Sequence, residues 1–117
     1  MTTAITRLPL SGSADGQGIK VAATGSPGTL VHTAHATATD EVWLWCVNSS
    51  ASSVKLTVQF GGTTDPDDSI EATIAAESGL FLIVPGLVLS NSKVVRAFAG
   101  AAGVLVVHGF VNRVHVA

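Results

Sequence analysis

Charge is scarce in this chain. Only 12% of its 117 residues are Asp, Glu, Lys or Arg, whereas 47% are hydrophobic. An average soluble domain has about 25% charged residues, so this chain has too few to coat an isolated domain. We therefore expect part of its surface to be buried against another protein. The six basic residues are scattered and the net charge is −2, which argues against a nucleic-acid partner.

Cysteine, a leader segment and long apolar runs are also missing. The single cysteine, Cys46, excludes an internal disulfide, and its two apolar neighbours predict a small buried side chain rather than a reactive thiol. The first seven residues lack the basic and apolar stretches of a secretory signal, so no export is expected. The longest apolar segment, 79–89, contains a proline and a glycine and is too short to cross a bilayer. We therefore predict a soluble protein with no membrane partner.

Short apolar runs separated by turn-forming residues occupy most of the chain. This spacing predicts an all-β fold, an antiparallel β-sandwich or jelly-roll-like barrel of about eight short strands. Parallel strands are disfavoured because most connections are too short for crossovers. A length of 117 residues suits one domain. The predicted strands are residues 18–23, 29–34, 41–47, 53–60, 69–75, 80–84, 93–99 and 104–111.

The segment after Asp65 has two interpretations. Asp65 followed by Pro66 is a suitable start for a helix that would end at Gly79. Apolar and polar residues nevertheless alternate over residues 69–75, and three β-branched residues lie among them, so a strand is favoured.

The segment 41–47 is apolar on both of its strand faces. A two-sheet sandwich buries only the inner face of a strand, so the outer face needs a cover. An N-terminal arm of the same chain and a neighbouring subunit are equally suitable covers. One face carries Val42, Leu44 and Cys46, and the opposite face carries Trp43, Trp45 and Val47.

Residues 1–17 precede the sandwich domain predicted for residues 18–117. They are rich in turn formers, with apolar side chains at Ile5, Leu8 and Leu10. We predict an extended arm that pairs with the sheet edge of a neighbouring subunit through these anchors. A frayed terminus is the alternative.

No group of residues forms a catalytic motif or a cofactor site. His32 and His35 are an odd number of residues apart and should point to opposite strand faces, which argues against joint metal coordination. His108 shares its face with apolar residues, as is typical of a hydrogen-bonded core or interface histidine. The acidic turn 65–68 lacks the longer loop and distal glutamate of a calcium motif, and a solvated turn is the preferred interpretation. We expect no enzymatic activity, no metal and no cofactor.

Seven segments carry a family resemblance: residues 7–13 (RLPLSGS), 18–23 (GIKVAA), 47–64, 70–84, 85–87, 93–99 and 108–113 (HGFVNR). They resemble small virion proteins of tailed bacteriophages. The resemblance implies a capsid decoration, or cement, protein that assembles as a homotrimer on the exterior of the virion, where it clamps the major capsid protein. It would be made in the cytoplasm of the bacterial host.

A structural role of this kind assigns the candidate residues to interfaces. A glycan- or receptor-binding module of a phage tail or fibre is the alternative, in which an exposed indole stacks on a sugar. The interface candidates are Trp43 and Trp45 for apolar contact, Ile5, Leu8 and Leu10 for arm anchoring, and Arg96 and Arg113 for charged contacts at a rim.

Overall fold

Two antiparallel sheets make up the protein. The computed structural model describes residues 3–116, which contain nine strands and no helix. This confirms the predicted antiparallel β-sandwich. The strands are β1 (Thr3–Pro9), β2 (Ile19–Lys20), β3 (Thr29–Thr33), β4 (Thr39–Asn48), β5 (Val54–Phe60), β6 (Ser69–Ile74), β7 (Phe81–Leu89), β8 (Val94–Ala99) and β9 (Leu105–Val116).

Most connections along the chain cross from one sheet to the other, except those from β1 to β2 and from β5 to β6. One sheet has the order β1-β9-β4-β7, with the short β2 also paired with β9, and the other has the order β3-β8-β5-β6. The connections from β3 to β4, β4 to β5, β6 to β7, β7 to β8 and β8 to β9 all cross from one sheet to the other. This is a jelly-roll arrangement.

Alternation along the strands fills the space between the sheets. In β4 every second side chain is buried, because successive residues of a strand point to opposite faces. The buried positions of β4 include the face predicted from Val42, Leu44 and Cys46. Further buried apolar side chains include Leu56, Val58, Ile74, Val84, Val95, Ala97, Leu105, Val107 and Val111.

The N-terminal segment is extended, as predicted, but it pairs with its own chain. β1 runs antiparallel to β9 from Thr3 opposite Val116 to Pro9 opposite Phe110. Leu10 is 1% exposed in the core, and Leu8 packs against the core. The boundary predicted between residues 17 and 18 therefore does not separate an arm from the sandwich. Residues 1, 2 and 117 lie outside the described range.

Two strands extend beyond their predicted ends. The strand predicted for residues 80–84 continues through Pro85 and Gly86 to Leu89 as β7, so its predicted end was wrong. Proline is tolerated there because β7 is an edge strand. Gly86 adopts a φ of 82°, and the register between β4 and β7 shifts nearby. β9 continues past residue 111 because β1 and β4 both pair with that extension.

The segment after Asp65 forms β6, which confirms the strand interpretation over the helix. Its apolar residues lie beside those of the neighbouring β5, with Ile70 opposite Val58 and Ile74 opposite Val54. The alternation of apolar and polar residues was therefore the stronger signal in this segment.

The buried position of Leu10 gives a first prediction. We expect Leu10→Ala to lower the free energy of unfolding by about 2–5 kcal/mol, because it removes a buried side chain and leaves a cavity. The matched control is Ile5→Ala in β1, since Ile5 is 68% exposed and its truncation should cost no more than about 0.5 kcal/mol. Urea denaturation measures both changes. Equal costs for the two variants would show that Leu10 is not part of the cooperative core.

Candidate functional site

The buried carboxylate of Asp40 is hydrogen-bonded to polar groups from several parts of the chain. Asp40 lies on the inner face of β4 and is 0% exposed. The Nε and Nη2 atoms of Arg113 donate to its two carboxylate oxygens over 2.8 and 3.1 Å, and Nε2 of His32 lies 2.7 Å from Oδ2. The backbone N–H of His35 donates to the same Oδ2 over 3.3 Å. We call Asp40, Arg113 and His32 the buried network.

The electrostatics of the network favour the charged forms of Asp40 and Arg113. Burial alone would raise the pKa of the Asp40 carboxyl. The hydrogen bonds from Arg113 and His32, together with the positive charge of Arg113, more than offset burial and lower that pKa below its ordinary value. The hydrogen bond to Asp40 correspondingly raises the pKa of Arg113. The carboxylate is therefore ionised, and its oxygens are occupied by protein donors.

The hydrogen bonds of His32 identify its tautomer. The backbone N–H of Ser11 donates to Nδ1 over 3.0 Å, so Nδ1 acts as an acceptor. In a neutral ring the proton must then lie on Nε2, from which it is donated to Asp40. The buried network thus links β3, β4, β9 and the segment that follows β1.

The two arginines predicted to make charged contacts at an interface rim have different environments. Arg113 is 20% exposed, and its guanidinium is used by Asp40 within the same chain. The side chain lies on the inner side of its sheet, and the rim role predicted for Arg113 stays a prediction. Arg96 is half-buried, and its Nη1 donates to the carbonyl of Gly28 over 3.2 Å.

Three aromatic side chains pack together on the outer face of the sheet that contains β4 and β9. The ring centroids of Trp43, Trp45 and Phe110 are 5.9–6.3 Å apart, and Trp43 is stacked on both other rings. The guanidinium carbon of Arg7 lies 4.8 Å from the centroid of Phe110. Nε1 of Trp43 donates to Glu41 over 2.6 Å, and this bond lowers the pKa of the Glu41 carboxyl.

This aromatic cluster receives its cover from the same chain. Trp43 and Trp45 are half-buried, and Arg7 of β1 lies over the neighbouring ring. Gly86 of β7 lies against Trp43, where a β-carbon would come within 3.0 Å of the indole. The two indoles are therefore less available for a partner than their sequence positions suggested.

The exposed apolar surface lies instead on edge strand β7 and just before it. Five large apolar side chains there are between 43% and 63% exposed. Residues 78–92 include no Asp, Glu, Lys or Arg, so the edge lacks the charges that usually block strand addition. We call this surface the β7 edge; it consists of Leu80, Phe81, Leu82, Leu87 and Val88.

The remaining candidate groups do not converge. Within residues 3–116, no three His, Cys, Asp or Glu side chains form a group that could hold a metal ion. In the acidic turn, Asp68 accepts the backbone N–H of Thr64 over 3.0 Å, as expected of turn chemistry. Cys46 is buried as predicted, and burial raises the pKa of its thiol to about 11. Such a thiol is unreactive near neutral pH.

The residue that sequence reasoning missed is Asp40. The burial of Asp40 could have been predicted from the sequence, because Asp40 falls on the same strand face as the buried positions 42, 44 and 46. A carboxylate on that face is buried and therefore needs a hydrogen-bonding or charged partner. The identity of the partners had no comparable signal, since Arg113 is 73 residues away along the chain.

The buried network gives a second prediction. We expect Arg113→Met to lower the free energy of unfolding by about 3–5 kcal/mol, because it leaves the buried charge of Asp40 without its cation. The matched control is Arg96→Met, which removes a single hydrogen bond to a backbone carbonyl and should cost about 1 kcal/mol. Thermal and urea unfolding at pH 7 measure both. If the two variants lost similar amounts of unfolding free energy, the claim that Arg113 neutralises the buried charge of Asp40 would be contradicted.

Comparison with known proteins found no match for this chain. No protein-family model matches the chain, and no match is found among curated proteins or among solved structures. Across the described range, no helical segment has the length and hydropathy that a bilayer crossing requires. What the protein does must therefore be inferred from its own residues and their geometry.

Proposed function

We propose that this protein is a non-enzymatic structural component of a tailed-phage virion. It acts as a capsid decoration, or cement, protein that assembles as a homotrimer and binds the exterior of the head. The observation that carries the proposal is the β7 edge, an exposed apolar surface in a chain with too little charge to coat itself.

The β7 edge calls for a partner on two grounds. Its five side chains are about half exposed, and covering the rest of each contributes on the order of 1 kcal/mol. As the last strand of its sheet, β7 also offers backbone donors and acceptors on its free side. A binding strand would satisfy both the apolar surface and the backbone groups.

A second copy of this chain is the partner that the β7 edge fits best. The edge has no charge over residues 78–92, so its partner must be apolar and uncharged where the two meet. The β7 edges of other copies have this character, and in the proposed trimer three such edges would meet around a threefold axis. Self-association would also remove from water the apolar surface of a chain that has only 12% charged residues.

Attachment to a phage head rests on the resemblance of residues 7–13, 18–23, 47–64 and 108–113 to virion proteins. Binding of this kind is passive. Each assembled oligomer that binds the major capsid protein adds its binding free energy to the folded, closed shell. Rotational symmetry repeats each contact, so modest contacts per copy sum to stable attachment.

The buried network supports a non-enzymatic role. A catalytic site needs acid, base or nucleophile side chains that reach a substrate. The side chains that do converge here, Asp40, Arg113 and His32, are buried and satisfy one another. Their arrangement is that of a structural ion pair.

The glycan-binding alternative depends on the aromatic cluster. Sugar stacking requires an open ring face, whereas Trp43 stacks on Trp45 and Phe110, and Phe110 is also covered by Arg7. The Trp43 indole N–H is already donated to Glu41. The β7 edge is therefore the better supported surface for binding.

Self-association through the β7 edge gives a third prediction. We expect the wild-type protein to be an oligomer at micromolar concentration. In Val88→Lys the added charge must be desolvated at the interface, so the dissociation constant should rise by at least about 100-fold. Sedimentation velocity measures the oligomeric state. The matched control is Leu30→Lys, on an edge strand of the other sheet, where the native side chain is 40% exposed.

Two results would contradict this assignment. A wild-type monomer at micromolar concentration would remove the basis for self-association. Equal weakening by Leu30→Lys and Val88→Lys would place the interface elsewhere than the β7 edge.

Binding to the head gives a fourth prediction. We expect the wild-type protein to cosediment with heads of the source phage assembled without this chain, and to raise their temperature of disruption in proportion to occupancy. Val88→Lys should bind more weakly, because single copies lose the repeated contacts of the oligomer. If the wild type stays in the supernatant but binds a glycan array, and Trp43→Ala abolishes that binding without unfolding, the glycan-binding alternative holds instead.

A further inference from the structure

Two opposite charges flank the uncharged stretch of residues 78–92 that contains the β7 edge. Glu77 precedes this stretch and Lys93 follows it. Both side chains are exposed, and neither forms an ion pair with another residue of the range 3–116 that the structure describes. The two charges that border the β7 edge along the chain are therefore available to a partner.

Glu77 and Lys93 lie at opposite ends of the sandwich. The N–H of Glu77 donates to the carbonyl of Ser50, in the connection from β4 to β5, over 3.1 Å. The carbonyl of Lys93 accepts the N–H of Ala34, in the connection from β3 to β4, over 2.8 Å. β7 itself has nine residues and spans about 26 Å at the usual rise of a strand. The two charges are therefore too far apart to pair within one copy.

A cleft at the Lys93 end of β7 can receive a partner. Its volume is about 340 Å³, which lies in the usual range of binding pockets. Val88 and Leu89 form its apolar part, and Lys93 is the one charged residue of its lining. The other lining residues are polar: Thr39, Ser90 and Asn91. Because Val88 belongs to the β7 edge, the cleft continues the surface already assigned to self-association.

The opposite end of the β7 edge presents the complementary side chains. Leu80 is 63% exposed and follows Glu77 by three residues. Their Cα atoms are at most about 11 Å apart, so the apolar and the acidic side chain can reach one cleft together. The hydrogen bond from Glu77 to Ser50 holds the backbone of this segment, so little ordering would be needed on binding.

We infer that residues 77–80 of one copy occupy the cleft of a second copy, where the Glu77 carboxylate pairs with the Lys93 ammonium. Leu80 then contacts Val88 in the apolar part of the cleft. The inference rests on the self-association through the β7 edge proposed above, and it specifies which ends of two edges meet.

This contact joins unlike ends of two β7 edges, as a threefold ring requires. Each copy in such a ring binds one neighbour with one patch and the other neighbour with a different patch. Three edges that ran in the same direction along the axis would instead bring three Glu77 carboxylates together, and the contact of like charges is unfavourable. A twofold antiparallel pair would form the same contact twice. The ion pair therefore sets the relative direction of the edges in either assembly.

Charge reversal tests the ion pair. We expect Glu77→Lys and Lys93→Glu each to raise the dissociation constant of the oligomer at least about tenfold, because each brings like charges together at every contact. The double variant Glu77→Lys/Lys93→Glu restores opposite charges with their positions exchanged. Its dissociation constant should return to within about threefold of the wild-type value. Sedimentation velocity over a series of protein concentrations measures these constants.

Glu71→Lys is the matched control. It makes the same change of charge at another exposed glutamate, on β6 of the other sheet, whose partner Lys55 belongs to the same copy. It should change the dissociation constant by no more than about threefold. An equal loss of association in Glu71→Lys would show that net charge alone acts, and would overturn the inference.

The remaining outcomes separate this inference from the proposed self-association. If Val88→Lys dissociates the oligomer while Glu77→Lys leaves it intact, the β7 edge stays the interface and the ion pair is refuted. Weakening by both single reversals without recovery in the double variant would also refute the pairing. A wild-type monomer at micromolar concentration would overturn the ion pair and the self-association together.

Discussion

A carboxylate held away from water constrains this sandwich more than any other single interaction. An unpaired charge at that depth would cost several kcal/mol, so the fold must bring donors to Asp40 from β3, from β9 and from the backbone of His35. These donors reach the carboxylate of Asp40 only when β4 pairs with its neighbours in the observed register. A slip of β4 by one residue would turn Asp40 outward and the indole of Trp43 inward. The ion pair therefore specifies strand register, whatever its net contribution to stability.

The sheet that contains β4, β7 and β9 provides two kinds of surface, because its outer face is largely covered whereas its β7 edge is not. Aromatic rings, Glu41 and Arg7 cover much of the outer face of the sheet that contains β4 and β9. The apolar residues that stay exposed are concentrated at the β7 edge. The proposed attachment would use a surface that is formed before the partner arrives, so little ordering would be needed on binding.

Local patterns in the sequence predicted the sandwich, the inner face of β4, the burial of Cys46 and the strand at β6, because strand alternation is a local property. Features that depend on residues far apart in the sequence could not be predicted from such local patterns. A register shift in β3 buries both Val31 and His32, which breaks the alternation. The partners of Asp40 and the pairing of β1 with its own chain depend on contacts with β9, about 70 to 110 residues away.

Pro85 and Gly86 interrupt β7 at its middle, and this interruption limits how the protein can polymerise. A long, flat and uncharged edge would template the addition of strand after strand and so seed fibrils. Proline has no N–H to donate, and the positive φ of Gly86 bends the backbone locally. The edge is thereby divided into two short halves, too short to propagate a continuous cross-β ladder. The association proposed for this strand would therefore form small closed assemblies rather than grow without limit.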